Sequence, residues 1–353
     1  MPDSTQTQPV AFNCEGGLVL NRSSFLMQPG EALVLENFEP DVEGGYRRMN
    51  GFRRYVNHVV PHTASINEKV IGVAKFGDKV IACRGEKIFS AASTELSVAI
   101  TATATMSGSG TIVVDSVAGF ATSGTLQLDS EKFTYTGVDA ASTPNEFTGV
   151  TRATESTTAA AHISRVTVSS PWTEIDTGRT NASKYRFERF NYDGNEKIIF
   201  VDGVNAPVVF NLALSATDVS TAAVVGSKFV VSFKSHMFYA GKSTTPELLN
   251  FSEGFNEDGF SAGVADPAGS IRVDDTITGL KVFRDSLIIF CENRIFKLTG
   301  SVASDFAIIP VTRSIGCING DTIQEFGGDL VFLGPDGLRT VAATAKIGDT
   351  ELG

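Results

Sequence analysis

Apolar and polar positions alternate along most of this chain in short runs, and five of the runs share one layout. A phenylalanine comes first, then a brief polar turn, then an apolar strand. They are Phe76 in KFGDKVIAC, Phe190 in RFNYDGNEKIIFVDG, Phe233 in SFKSHMFYAG, Phe283 in VFRDSLIIFCEN and Phe326 in EFGGDLVFLGPDG. In most of them another turn leads to a further strand, as in EKIFSA, APVVFNL, NRIFKLTG and GLRTVA. Short alternating runs bounded by Gly, Asn and Asp are the pattern of hairpin-linked strands. Each unit therefore reads as a β-meander with its phenylalanine as anchor.

The spacing of the units carries more than any one of them. Phe190 and Phe233 are 43 residues apart, Phe233 and Phe283 are 50, and Phe283 and Phe326 are 43, whereas 114 separate Phe76 from Phe190. Setting aside about 70 residues brings the long interval close to the others, and a period of about 40–50 residues with about four strands is that of propeller blades. The expected fold is all-β: a propeller-like array of four-stranded meander blades carrying an inserted small β-domain. A β-sandwich with similar-looking strands is the alternative. The expected boundaries are an N-terminal segment at 1–60 that closes or braces the propeller, a first blade at 61–96, the insert at 97–168, and the remaining blades at 169–353.

The insert has its own composition, rich in Thr, Ala, Ser and Gly. TIVVDS, GTLQLDS, KFTYTG and EFTGVTR alternate with period two, and Val113, Leu126, Leu128, Phe133, Tyr135 and Phe147 are its expected core. It is expected to sit outward on linkers. Helix signals are scarce; STTPELLNFSE could form one short turn, with Pro246 near its start.

Composition narrows the function. A hydrophobic fraction of 42% and 25 phenylalanines mark a folded chain, and a formal net charge of −11 repels nucleic acid at long range. Sequence-specific DNA reading is thereby disfavoured, while a passive role beside DNA stays open. Cys14, Cys83, Cys291 and Cys317 are scattered, form no CxxC pair, and read as small buried hydrophobes. The N-terminus MPDSTQTQPVAFN lacks the basic and apolar blocks of a classical export signal. No apolar run reaches the ~18 residues needed to span a bilayer, so no membrane insertion is expected.

The histidines, His58, His62, His162 and His236, form no HExxH or His/Cys cluster, and the VVP between the first two argues against one helical face. There is no G-x-S-x-G elbow, Walker loop or convincing GxGxxG. DGNEK and FNEDGF place carboxylates beside glycine but lack the alternating calcium loop; Asp193, Asn195 and Asp258 would be its candidates. The Ser-x-Asp-x-Gly-x-x-Trp box of sialidase propellers is missing, and Trp172 is the sole tryptophan. No pair of carboxylates is singled out for glycoside cleavage. The chain is accordingly expected not to be an enzyme, with no catalytic, cofactor or metal residues.

One stretch does not repeat. GLVLNRSSFLMQPGEALVLENFEPDVEGGYRRMNGFRRY, Gly17 to Tyr55, joins a Pro-Gly turn, an apolar run at Ala32 to Leu35, an acidic loop and an exit holding Arg47, Arg48, Arg53 and Arg54. It resembles the amino-terminal region of bacteriophage tail proteins, through Gly16, Gly17, Leu18, Pro29, Gly30, Ala32, Asn37, Phe38, Gly44, Gly45, Arg47, Arg48, Gly51 and Phe52. The insert is similar to a module of phage virion proteins, in VAGFATSGTLQLDSEKFTYTG and FTGVTRATESTTAAAH. The family is that of tail tubular or nozzle (tail hub) proteins of short-tailed phages. Its members are often longer, with more blades.

The resemblance implies a non-enzymatic virion protein, assembled in the host cytoplasm into the phage tail. It would be one subunit of a closed homo-oligomeric ring, commonly a hexamer, in the tail nozzle or tube. Its partners would be further copies of itself, adaptor and portal-side tail proteins and tail fibres, with DNA as passing cargo during ejection. A tail-tip propeller that binds a host receptor or glycan is the alternative, followed by an envelope-degrading hydrolase. EALVLENF would supply a strand that closes the last blade, or a buried support. Arg47, Arg48, Phe52, Arg53 and Arg54 are the subunit-interface candidates, because arginine grips a neighbour's carboxylate with two parallel hydrogen bonds. Solvation of a turn is the plainer role for the same arginines.

Overall fold

The computed structural model describes residues 16–19, 23–28, 30–40, 45–49, 51, 54–57 and 69–342. It is all-β, with helical turns as short as Ser24–Leu26, Ala303–Asp305 and Gly320–Thr322. The segment STTPELLNFSE is not helical: Leu248–Phe251 is a strand, because Leu249 and Phe251 must face the core that Phe238 also joins. Contacts divide the chain into two units, Met1–Arg54 and Tyr55–Gly353.

In the first unit Gly17–Leu18 pairs in parallel with Glu31–Ala32, and Phe38–Pro40 pairs antiparallel with Tyr46–Arg48. The apolar run does not continue as a strand: beyond Ala32, Val34 is 68% exposed.

The second unit repeats one element. A four-stranded antiparallel meander comprises Arg186–Asn191, Glu196–Val201, Val208–Asn211 and Ala216–Asp218. Another holds Phe229–Phe233, His236–Ala240, Leu248–Phe251 and Gly269–Arg272, and a third holds Ile277–Phe283, Ser286–Cys291, Ile295–Thr299 and Ala307–Thr312. These are the second, third and fourth sheets. The fifth has Gln324–Phe326, Asp329–Gly334 and Gly337–Thr340. The first has Val70–Phe76, Lys79–Arg84 and Lys87–Glu95, with Thr173–Asp176 as its fourth strand beyond the insert.

Each inner sheet is buried on both faces, and the period of two decides which neighbour a residue meets. Ile198 and Phe200 pack with Phe76, Ile81 and Cys83 of the first sheet. Ile199 and Val201, on the opposite face of the same strand, pack with Met237 and Tyr239 of the third. Phe238 and Ala240 then meet Leu287, Ile289 and Cys291 of the fourth, whose Ile288 and Phe290 meet Leu330 and Phe332 of the fifth. This is why KIIFV, HMFYA and SLIIFC read as continuous apolar runs rather than clean alternations. Cys83, Cys291 and Cys317 are buried and free, as small hydrophobes would be; Cys14 lies outside the described residues.

The anchor phenylalanines sit at the end of each leading strand, not at its head. Phe76, Phe233, Phe283 and Phe326 are the last residues before the hairpin, and Phe190 is the last but one. Phe76, Phe190 and Phe233 are buried and Phe283 is partly so, with the Arg284 guanidinium 5.0 Å from its ring centre. Phe326 departs from the expectation at 77% exposed. Its strand is three residues long and exposed throughout, and the anchoring role falls to Phe332 in the middle strand.

The insert is a small closed barrel. Lys87–Glu95 pairs with Thr167–Ser169, which pairs with Gly124–Leu128, then Glu131–Tyr135, Asn145–Thr151 and Ser107–Val114. A bridge from Val114 to Leu96 brings the pairing back to its start. Closure of this kind leaves no strand edge. The barrel does not hang on linkers: residues 88–90 of Lys87–Glu95 pair with Thr173–Asp176 in the first sheet, and residues 93–95 pair with the barrel strand.

Leu126, Leu128, Phe133, Tyr135 and Phe147 form the barrel core, with the Tyr135 and Phe147 rings 4.8 Å apart edge to face. Val113 does not belong to it; Ile112 and Val114 point inward, one step away in the alternation. Gly149 in FTGVT is obligatory in kind, since at φ +63° a Cβ would lie 1.9 Å from Thr136 Oγ1.

Candidate functional site

Arg47 Nε donates to Glu39 Oε1 at 2.8 Å across its own hairpin, so the carboxylate it grips belongs to its own chain. Arg48 and Arg54 are exposed. Phe52, Arg53, His58 and His62 lie outside the described residues. Among the described residues no three His, Cys, Asp or Glu side chains gather as a metal site. Asp193 accepts from the N–H of Asn195 at 3.4 Å, within one turn.

The other two histidines are buried structural groups. His236 contacts the Ser252 carbonyl through Nδ1 at 2.6 Å and Asp266 through Nε2 at 2.9 Å, with Phe251 and Phe306 against its ring. His162 belongs to a network inside the barrel. Glu131, fully buried, accepts from Arg152 Nε and Nη2 at 2.9 and 2.8 Å. The N–H groups of Ala153 and Ala160 donate to the same carboxylate at 3.1 and 2.9 Å. His162 sits 2.9 Å from Glu131 and 2.9 Å from Asp129, one ring nitrogen to each. Arg152 also donates to the carbonyls of Thr101, Ala104 and Ala160.

Burial alone would raise the Glu131 pKa. The hydrogen bonds from Arg152, Ala160 and His162 outweigh it and hold the carboxyl at about 2. A charge pair satisfied on every side is what permits ionised groups in an apolar interior. These four residues all lie in the two motifs that carry the insert's resemblance, yet spacing alone assigned them no role. Charged residues within LQLDSEKF, GVTRA and AAAH were the available signal.

Between the sheets lies a cavity of about 630 Å³. The leading strands of the second, third and fourth sheets pack side by side and line it, together with the segment before the fifth. Asp321 reaches back across 135 residues to Arg186, whose Nε and Nη2 donate at 3.1 and 3.2 Å, and Lys184 Nζ lies 2.7 Å from the same carboxylate. The Arg186 guanidinium rests 4.9 Å from the Phe229 ring centre. Partial burial would raise the Asp321 pKa, and the bonds from Lys184 and Arg186 bring it below the usual carboxylate range.

Farther along the same strand Glu188 accepts from the Ser232 N–H at 3.3 Å, and burial raises its pKa despite the charge of Lys281. The clamp fastens the second sheet to the start of the fifth. The cavity is braced by charge: Asp321 is held by Lys184 and Arg186, and Glu188 by the Ser232 N–H.

No family model matches the chain, and no curated protein does. Among solved structures, the extracellular domain of the putative one component system BT4673 from B. thetaiotaomicron is similar at 11% identity and a TM-score of 0.34, over 78% of this chain and 32% of that one. Apo AztD from Citrobacter koseri follows at 8% identity and 0.32, over 78% and 69%. BBS1N in complex with ARL6DN has 7% identity and 0.30, over 77% and 76%. The chain thus spans about a third of the length of the first of these. Among the described residues no helix is long and apolar enough to cross a membrane.

Proposed function

We propose that the chain is a non-enzymatic structural subunit of a short-tailed bacteriophage tail, a propeller-like body that assembles with copies of itself into a ring of the DNA-ejection conduit. The observation that supports this most is the unbroken succession of five meander sheets, each inner one buried on both faces and the fifth tied back to the second through Asp321. Such a body resists deformation because interior packing is dense and shear between sheets must unseat interlocked side chains. The phage-like motifs of the insert add to it, since their charged residues build the buried network of the barrel. An acidic chain suits a wall past which DNA slides without adhering.

The test is the assembly state of the purified protein. Light scattering and negative-stain images are expected to give closed rings with a central hole. A protein that stays monomeric at every concentration, or dimerises without closing, overturns the reading.

A further inference from the structure

A second depression, of about 360 Å³, lies between the second and third sheets. One wall comes from Asp193 and Lys197 at the first hairpin of the second sheet, and from Asn211, Ser215 and Thr217 around its last. The other wall is the loop Phe255 to Asp258, after the strand Leu248–Phe251. The volume falls at the small end of ligand clefts, about 300–1,000 Å³.

Its chemistry excludes most ligand classes. Three carboxylates, Asp193, Glu257 and Asp258, face one ammonium, Lys197, which is already 2.7 Å from Glu257. Anions are therefore repelled. No three carboxylates come close enough to hold a metal ion among the described residues. Walls of Asn, Ser, Thr and Asp offer too little apolar area for a hydrophobic ligand. What they do offer is hydrogen-bond donors and acceptors in mixture: Asn211 commits its Oδ1 to the Ser215 N–H at 3.0 Å, which leaves its amide hydrogens available to a ligand.

The apolar exception is Phe255. It is 66% exposed and holds φ +59°, a conformation bulky residues rarely take. Its N–H is anchored to the Ser235 carbonyl at 2.7 Å, and next in the loop Asn256 bonds Glu253 while buried Glu257 accepts the Tyr239 hydroxyl on its carbonyl. A fixed loop thus presents a bare ring beside polar walls. A neutral sugar matches that surface: its C–H face stacks on the electron-rich face of the ring, and its hydroxyls bond the amide, hydroxyls and carboxylates. We propose that this groove binds a neutral saccharide, with Phe255 as the stacking platform and Asn211, Asp193 and Asp258 as hydroxyl partners. The proposal stands apart from the ring assembly and holds or fails without it.

The experiment is saturation-transfer NMR on the full chain with D-galactose, N-acetyl-D-glucosamine, maltose and glucose 6-phosphate as probes. At least one neutral sugar is expected to bind with millimolar affinity, and the phosphorylated sugar more weakly. Phe255→Gly is expected to lower that affinity by about tenfold or more while leaving the melting temperature equal or higher, because glycine takes positive φ freely. Asn211→Ala is expected to weaken binding without unfolding. Absence of signal with every neutral probe, a preference for the phosphorylated sugar, or unchanged binding in Phe255→Gly overturns the proposal.

Discussion

Glu131 shows how much one side chain can hold. Replacing it with alanine leaves Arg152 buried without its counter-charge, and a loss of about 3–5 kcal/mol is expected in chemical denaturation. The same group sets an acid limit. Its pKa falls from the usual 4.5 to about 2 on folding, so the native state binds its proton later than the unfolded chain. The stabilisation, about 3 kcal/mol, is complete above pH 4.5 and is lost as pH falls toward 2. Melting curves from neutral pH down to 2 should show that decline, and Glu131→Gln should flatten it. A second contrast concerns two phenylalanines. Phe332→Ala is expected to cost about 3–5 kcal/mol and Phe326→Ala within about 0.5 kcal/mol, as read by urea denaturation.

At the scale of elements, the meander period was legible because a buried ring followed by a tight polar turn recurs at Phe76, Phe190 and Phe233. It misled at Phe326, where Gly327-Gly328 make the same turn but the strand before it is too short to reach the core. Val113 is not separable from its neighbours in sequence, because the adjacent Ile112, Val113 and Val114 are all apolar and spacing cannot tell which two point inward. The Asp321 clamp was not legible at all, since nothing local pairs it with residues at 184 and 186. Asp321→Ala is expected to cost about 1–2 kcal/mol and to lose part of that difference in high salt, because the three side chains are partly exposed. Limited proteolysis of this variant should cut first within the fifth sheet.

For the molecule as a whole, charge gives the sharpest expectation. With a net charge of −11, the purified protein should show no retention of double-stranded DNA in gel-shift experiments at physiological ionic strength. Tight binding there would defeat the idea of a non-adhesive wall, whatever the ring order. The proposed saccharide groove was legible only in pieces: DGNEK and FNEDGF single out Asp193 and Asp258, but its walls come from two hairpins and a loop some sixty residues apart, joined only when the second and third sheets stack.

The strand Lys87–Glu95 is one continuous backbone rod that ends in the barrel and begins in the first sheet. A tug on the barrel therefore finds no swivel in which to be lost. It arrives along the rod, where a whole row of backbone bonds shares the load at once instead of peeling singly from an edge. Whatever grips the barrel also steers the body behind it.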